Sequence, residues 1–440
     1  MGELAGRAGW DDRPAARACA PRQEARRAHA SFGGRLGLFL ILAFVAGSPD
    51  GAGGAEPFPV PPGLEQTVEF WKQVFTRYSR DEVVLYDPQD PVTIYKVLTA
   101  PDTEQGRALV ERERQRVLAE YDLTDEDGRV KAQRGAKENF AAGLRNSGKY
   151  IEAMKKIFRE EGVPENLAYL PLVESAFNVR ARSSAGAVGI WQFMAETGRK
   201  FLRVSHLVDE RRDPLAATRA AARLLKQNFS ILGDWPLAIT AYNHGTEGIL
   251  RGIEAVGSRD LVELIRRYRS PTFGYASKNF YAEFVAALDI VRDRETYFPD
   301  LRPHQPVVLA ELELKRRLPL RLLLERARVR SEQFFEWNPA LNPGVKELPP
   351  GIRIKAPAET ARQLASVHQT LAAGSSRKDS VSAARKKAKE PRIVHRVARG
   401  ETLSKIARRY GISPAAIRRA NGLNNDRVLI AGTRLRIPQG

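Results

Sequence analysis

Residues 163–194 read VPENLAYLPLVESAFNVRARSSAGAVGIWQFM, and the fold turns on this stretch. Pro164 suits the first turn of a helix, where a fixed φ is preorganised and the missing N–H has no intrahelical partner to lose. A helix is therefore expected to begin there. At ~3.6 residues per turn, Val163, Leu167, Leu170 and Glu174 share one face, so a carboxylate continues a stripe of branched apolar side chains. Two readings of Glu174 are open on this pattern. Charged residues are seldom buried without a partner, so one reading turns it to solvent past the helix end or pairs it with Arg180 or Arg182. The other keeps it against the apolar stripe, which would raise its pKa and let it carry a proton near neutral pH.

Small residues, Ser183-Ser184-Ala185-Gly186-Ala187, lead into Gly189-Ile190-Trp191-Gln192-Phe193-Met194, a compact apolar segment carrying one amide. Further along comes Ala241-Tyr242-Asn243, at the end of another short helical pattern. These pieces resemble the lytic transglycosylases of the lysozyme-like superfamily, whose pattern is Glu-Ser, then Gly-Leu-Met-Gln, then Ala-Tyr-Asn. Here the pattern stands as Glu174-Ser175, Gly189-Ile190-Trp191-Gln192 and Ala241-Tyr242-Asn243. Trp191, preceded by Leu172-Val173-Glu174-Ser175-Ala176-Phe177-Asn178, is similar to the branch of membrane-bound lytic murein transglycosylase D. The three pieces in order favour the catalytic reading of Glu174.

Cleaving a glycosidic bond needs a proton donor at the leaving oxygen, and ordinary glycosidases add a second carboxylate as nucleophile or base. The three motifs carry no second acid, and Glu196, Asp209, Asp213 and Glu283 read better as caps or surface charges. The resemblance implies a one-acid reaction. Glu174 would protonate the oxygen between N-acetylmuramic acid and N-acetylglucosamine while the sugar's acetamido group assists at the anomeric carbon. The same carboxylate would then take the proton of the C6 hydroxyl, which attacks and leaves a 1,6-anhydro end. It also implies that Ser175 orients the glycan or its stem peptide, Gln192 a sugar amide, and that Tyr242 and Asn243 line the cleft. Trp191 is expected in the core rather than stacked on a sugar, and His244 is read as incidental. A cleft tyrosine of the relatives falls on Phe280, with Tyr275 and Tyr281 nearby; cleft lining and helix packing are both open for it. A muramidase hydrolysing the same bond and a non-catalytic wall-binding scaffold are the rival readings.

The rest of the 440 residues frames this centre. A net charge of +19 favours polyanions such as nucleic acid, an anionic membrane or an acidic wall polymer. No Walker loop, zinc-finger spacing or aromatic RNA motif accompanies it, so no dedicated nucleic-acid binding is expected. Cys19 is the sole cysteine and the six histidines are scattered, so neither a disulfide framework, a metal nor another cofactor is expected. Residues 36–46, LGLFLILAFVA, match the apolar core of a secretory signal and, at ~1.5 Å per residue, are too short to span a ~30 Å hydrocarbon layer. Export to the periplasm or cell envelope follows, with membrane proximity left open. Cys19 precedes the apolar segment, so it does not support a lipid anchor there.

Two later regions resemble each other. Ser331–Asn338 with Leu348–Ile354 parallels Ser413–Asn421 with Ile430–Ile437. In the second copy His395-Arg396-Val397 reads as a strand, and Gly400-Glu401-Thr402-Leu403 opens a helix ended by Gly411. Ser413 and Pro414 start another helix, and a strand returns over Thr433–Pro438. This βααβ pattern resembles a LysM domain, which implies binding to N-acetylglucosamine-containing glycan strands of peptidoglycan. The first copy, lacking the Gly-Glu-Thr-Leu turn, is read as a structural remnant. The expected fold is mainly α. Its parts are a leader (1–55), a mostly helical extension (56–139), a lysozyme-like catalytic domain (140–300), a degenerate LysM-like segment (301–357), a flexible basic linker (358–392) and a LysM module (393–440).

Overall fold

The computed structural model describes residues 58–371, 393–423 and 429–438, so the signal-like segment and the basic run at 385–389 lie outside the described residues. Over these residues the chain divides into two compact units. One runs to Val308 and takes in Asn338–Gly344; the other holds Leu309–Trp337 and Val345 onward.

In the first unit, the apolar face Val68, Phe70, Trp71, Val74 and Phe75 becomes the buried side of helix α1 (Glu65–Thr76). Strand β1 (Glu82–Asp87) pairs antiparallel with β2 (Asp90–Thr99) and β3 (Lys131–Arg134), in the order β2-β1-β3. Alternation along β1 serves two cores. Val83 and Leu85 meet Val110, Val117 and Leu118 of helix α2 (Glu104–Glu120), while Val84 and Tyr86 join the main core. The first two strands grow from runs of β-branched and aromatic residues, Val83–Tyr86 and Thr93–Leu98, on either side of the turn-forming Asp87–Pro91. The third was not foreseen, because Lys-Ala-Gln-Arg has no β-branched or aromatic residue; the second edge of β1 pairs with it all the same, and Gln133 is fully buried.

The remainder of this unit is helical: α3 (Lys137–Ser147), α4 (Ile151–Glu161), α5 (Pro171–Ser175), α6 (Ala195–Arg199), α7 (Pro214–Leu232), α8 (Trp235–His244), α9 (Thr246–Val256), α10 (Leu261–Arg267), α11 (Tyr275–Arg292) and α12 (Arg294–Tyr297). Helix α11 is the axis, burying Phe280, Tyr281, Ala282, Phe284, Val285 and Ile290. Helix α1 is fixed to it by the Trp71 indole, which donates to Asn279 Oδ1 at 2.9 Å. Asp213 caps α7 by accepting the Leu215 and Ala216 N–H groups, and Asp234 caps α8 by accepting that of Leu237, each at the head of a helix with proline in its first turn.

The helix expected from Pro164 onward is not one helix. A 3-10 turn covers Glu165–Tyr169 and a separate α5 begins at Pro171. Pro171 is the reason: it has no N–H for the i→i−4 ladder, and its ring would meet the carbonyl of Leu167. The stripe survives the break, since Val163, Leu167, Leu170 and Glu174 are all buried.

In the second unit, β4 (Ala310–Glu313), β5 (Leu318–Pro319), α13 (Leu320–Ala327), α14 (Ser331–Trp337), β6 (Glu347–Leu348) and β7 (Arg353–Ala356) follow in order, with β4 antiparallel to β7 and β5 to β6. Residues 310–356 therefore follow a path in which two helices lie between strands, and the first strand was not announced by the sequence. Helix α15 covers 358–371, with Ala361, Leu364 and His368 buried. This corrects the expected start of the flexible linker: side chains three and four residues apart, Ala361, Leu364 and His368, form the buried face of a helix there. The last module runs β8 (Ile393–Arg396), α16 (Leu403–Arg409), α17 (Pro414–Asn421) and β9 (Arg434–Ile437), with the strands antiparallel around a core of Val397, Ile406, Ala407, Ile417, Leu435 and Ile437.

Candidate active site

Glu174 sits at the end of α5 and is only 8 % exposed. Directly after Ser175 the chain turns through two left-handed residues, Ala176 (φ 50°) and Phe177 (φ 53°), neither of them glycine. A left-handed residue with a Cβ costs ~1–2 kcal/mol, so packing must hold the turn in place. Phe177 does so by being buried at 1 % exposure.

The segment 186–193 lies against this turn and is held from three sides. Ser175 Oγ donates to the carbonyl of Ile190 at 2.8 Å, and the hydroxyl of Tyr242 donates to the next carbonyl, that of Trp191, also at 2.8 Å. Arg211, buried behind the segment, donates through Nη1 to the carbonyl of Phe193 at 3.1 Å and to that of Gly186 at 3.3 Å. Its other nitrogens grip Asp209 in a two-pronged pair at 2.9 and 2.8 Å. Gly189 is required here for two reasons. Its φ is +80°, and a Cβ would lie 2.0 Å from the carbonyl oxygen of Arg211. Gln192 is also left-handed (φ 47°), and its side-chain amide folds back onto the carbonyl of Gly189 at 2.7 Å.

The five residues singled out from the sequence thus come together from α5, the 186–193 segment and α8. Ser175 and Gln192 have partners inside the protein. Tyr242 stands within electrostatic reach of Glu174. Burial, and after it the charge of Glu174, hold its phenol well above the ordinary tyrosine pKa, so it stays a hydrogen-bond donor. Asn243 accepts through Oδ1 from Ser277 Oγ of α11 at 2.9 Å. Trp191 is fully buried and donates its indole N–H to Thr218 Oγ1 at 2.9 Å, so it packs the core.

Phe280 and Tyr281 are buried within α11, the latter donating to the carbonyl of Pro59 at 2.8 Å, and both pack the helix. Tyr275 donates to Gln133 Oε1 at 3.0 Å; its one proton being used there, Tyr86 must donate to it across their 2.6 Å contact. Among the other acids, Asp213 caps α7, Asp209 pairs with Arg211, and Glu196 is exposed on α6. Glu283 lies near enough to Tyr86 and Tyr275 for its charge to raise both phenols. Among the described residues no group of three or more His, Cys, Asp or Glu side chains is gathered closely enough to hold a metal ion. Sequence reasoning missed Arg211, Thr218 and Ser277. Arg211 stood in a run read only for its cap, and the other two are small hydroxyl residues on helices without a local pattern.

Comparison with known proteins bears on this arrangement. A family model described as the transglycosylase SLT domain matches residues 152–265, which include Glu174, the 186–193 segment and Tyr242-Asn243. A second, the LysM domain, matches residues 395–438. Membrane-bound lytic murein transglycosylase D of Escherichia coli strain K12 is 27 % identical over 282 residues, 61 % of this chain and 59 % of that protein. A putative tributyltin chloride resistance protein of Alteromonas sp. strain M-1 is 35 % identical over 104 residues, 23 % of this chain and 49 % of its own length. The chain therefore spans less than two thirds of the length of the relatives it matches. Within the chain, residues 152–265 are thus similar to transglycosylase SLT domains and residues 395–438 to LysM domains.

Proposed function

We propose that this protein is an exported peptidoglycan lytic transglycosylase that cleaves the β-1,4 bond between N-acetylmuramic acid and N-acetylglucosamine without water, with Glu174 as both acid and base. The observation that carries the reading is a buried carboxyl, 8 % exposed, beside a left-handed turn, whose charge acts on the Tyr242 phenol. Burial disfavours the charged carboxylate, which is the condition for proton donation at neutral pH. After protonating the bond oxygen, Glu174 becomes a carboxylate. Its second task is to accept the proton of the muramic C6 hydroxyl as that oxygen closes on the anomeric carbon. The leaving chain departs with the first proton and the enzyme is restored.

The other assignments extend this reading to the residues gathered around Glu174. Tyr242 and Asn243 line the cleft, and Ser175 and Gln192 act on the glycan through the segment they hold as well as through their free lone pairs or amide protons. We assign the catalytic work to residues 140–300 and retention on the wall to the LysM module at 393–440. Action on peptidoglycan fits a location in the periplasm or cell envelope, and the sequence at 36–46 supports export. Among the described residues no helix is long and apolar enough to cross a membrane.

Digestion of purified sacculi by the parent protein and by Glu174→Gln, with soluble products read by mass spectrometry, tests this. Anhydro-ended muropeptides from the parent, reduced at least ~1000-fold in the variant, are expected for loss of the sole acid-base group. Reducing-end products would make the protein a muramidase. Equal digestion by the variant would remove Glu174 from the reaction.

A further inference from the structure

The outward face of the LysM sheet carries charge that the fold itself does not use. In the β8–β9 ladder His395, Leu435 and Ile437 point inward and are buried, while Val394, Arg396, Arg434 and Arg436 point outward and are exposed. Register sets Arg396 directly opposite Arg434, and Val394 opposite Arg436. Like charges facing each other across a strand pair repel, so the arrangement costs stability unless an anion is present. The nearest chemical remedy is missing: among the described residues the module's one carboxylate, Glu401, is bonded to His395 Nε2 at 2.9 Å and to the Ala398 N–H at 2.9 Å. Over 393–438 the sequence holds ten arginines and lysines against two acids, so the face lies on a strongly cationic module.

We propose that this sheet face docks onto an anionic phospholipid surface. Guanidinium groups match phosphate oxygens in a two-pronged geometry, and three of them here stand on one flat face at strand spacing. Val394, 58 % exposed among them, decides between polyanions. A glycan offers an aliphatic side chain only its C–H faces and acetyl methyls, whereas the interfacial layer of a bilayer buries one whole. This goes beyond the proposed reaction and does not depend on Glu174.

The test is co-sedimentation of the full chain with vesicles of phosphatidylglycerol and phosphatidylethanolamine, with phosphatidylcholine vesicles and with sacculi. Two triple variants are compared. Arg396→Gln/Arg434→Gln/Arg436→Gln empties the sheet face; Arg399→Gln/Arg408→Gln/Arg409→Gln removes the same charge from exposed positions elsewhere on the module. The parent is expected to bind anionic vesicles in a salt-sensitive way, the first variant about tenfold or more weakly, and the second much less affected. Arg434→Gln alone gives a partial loss, and none of these exposed changes lowers the melting temperature. Equal losses in both triple variants, parent binding no better to anionic than to neutral vesicles, or a loss on sacculi but not on vesicles would each overturn the proposal.

Discussion

His244 follows Tyr242 and Asn243 on α8, and its Nδ1 lies 3.4 Å from Ser277 Oγ, the group that holds Asn243. It is therefore less incidental in place than the sequence made it. Burial, and after it the charge of Arg251, hold its imidazole below the usual 6.5. The sign follows from linkage. The unfolded chain takes up the proton more readily than the native one, so the stability that neutral His244 contributes is full above pH 6.5. It drains away as pH falls below that value and is gone once pH is under the native pKa. Urea midpoints measured from pH 7 down to 5 should fall less steeply for His244→Gln than for the parent. A parallel pair of curves would show that this imidazole does not titrate differently in the two states.

At the scale of an element, the 186–193 segment is where the site is made or lost, because it presents the carbonyls that Ser175 and Tyr242 bind. Gly189→Ala tests it. The left-handed backbone alone costs ~1–2 kcal/mol for alanine, and the added methyl meets the Arg211 backbone rather than a flexible side-chain end. The expected result is a lower urea midpoint together with activity reduced by ~10-fold or more, since a shift of about an ångström in positioning groups is felt that strongly. Unchanged activity would mean that the segment tolerates displacement and does not position the reaction. The sequence showed this element's ends but not its geometry. Glu174, Gly189 and Tyr242 were legible because a carboxylate broke an apolar stripe and because three short pieces stood in a known order. The left-handed Ala176, Phe177 and Gln192 left no trace, since the usual marker of such backbone is glycine and these positions are held by tertiary packing instead. The break at Pro171 was readable and shows that face periodicity can survive a change of helix type. Strand β3 was not readable, because its pairing is dictated by the edge of β1 and not by its own residues.

Across the whole molecule, the LysM module has a core of its own, built from Val397, Ile406, Ala407, Ile417, Leu435 and Ile437, and none of these side chains belongs to the core around Glu174. Removing residues 372–440 should therefore leave the unit around Glu174 folded, with circular dichroism and melting of the remainder intact. What changes is encounter with an insoluble substrate. If the module holds the wall as proposed, this second, weak site converts each rebinding into an intramolecular event, and avidity gained in this way reaches about 10²–10⁴ without a new contact at the reacting bond. The shortened protein should thus wash off sacculi and digest them more slowly at low protein concentration. On short soluble glycan fragments, which cannot bridge both sites, the shortened and full chains should turn over at the same rate. A slower rate on soluble fragments would overturn this division of labour, because the module would then be acting on the cleft itself and not on where the cleft is held.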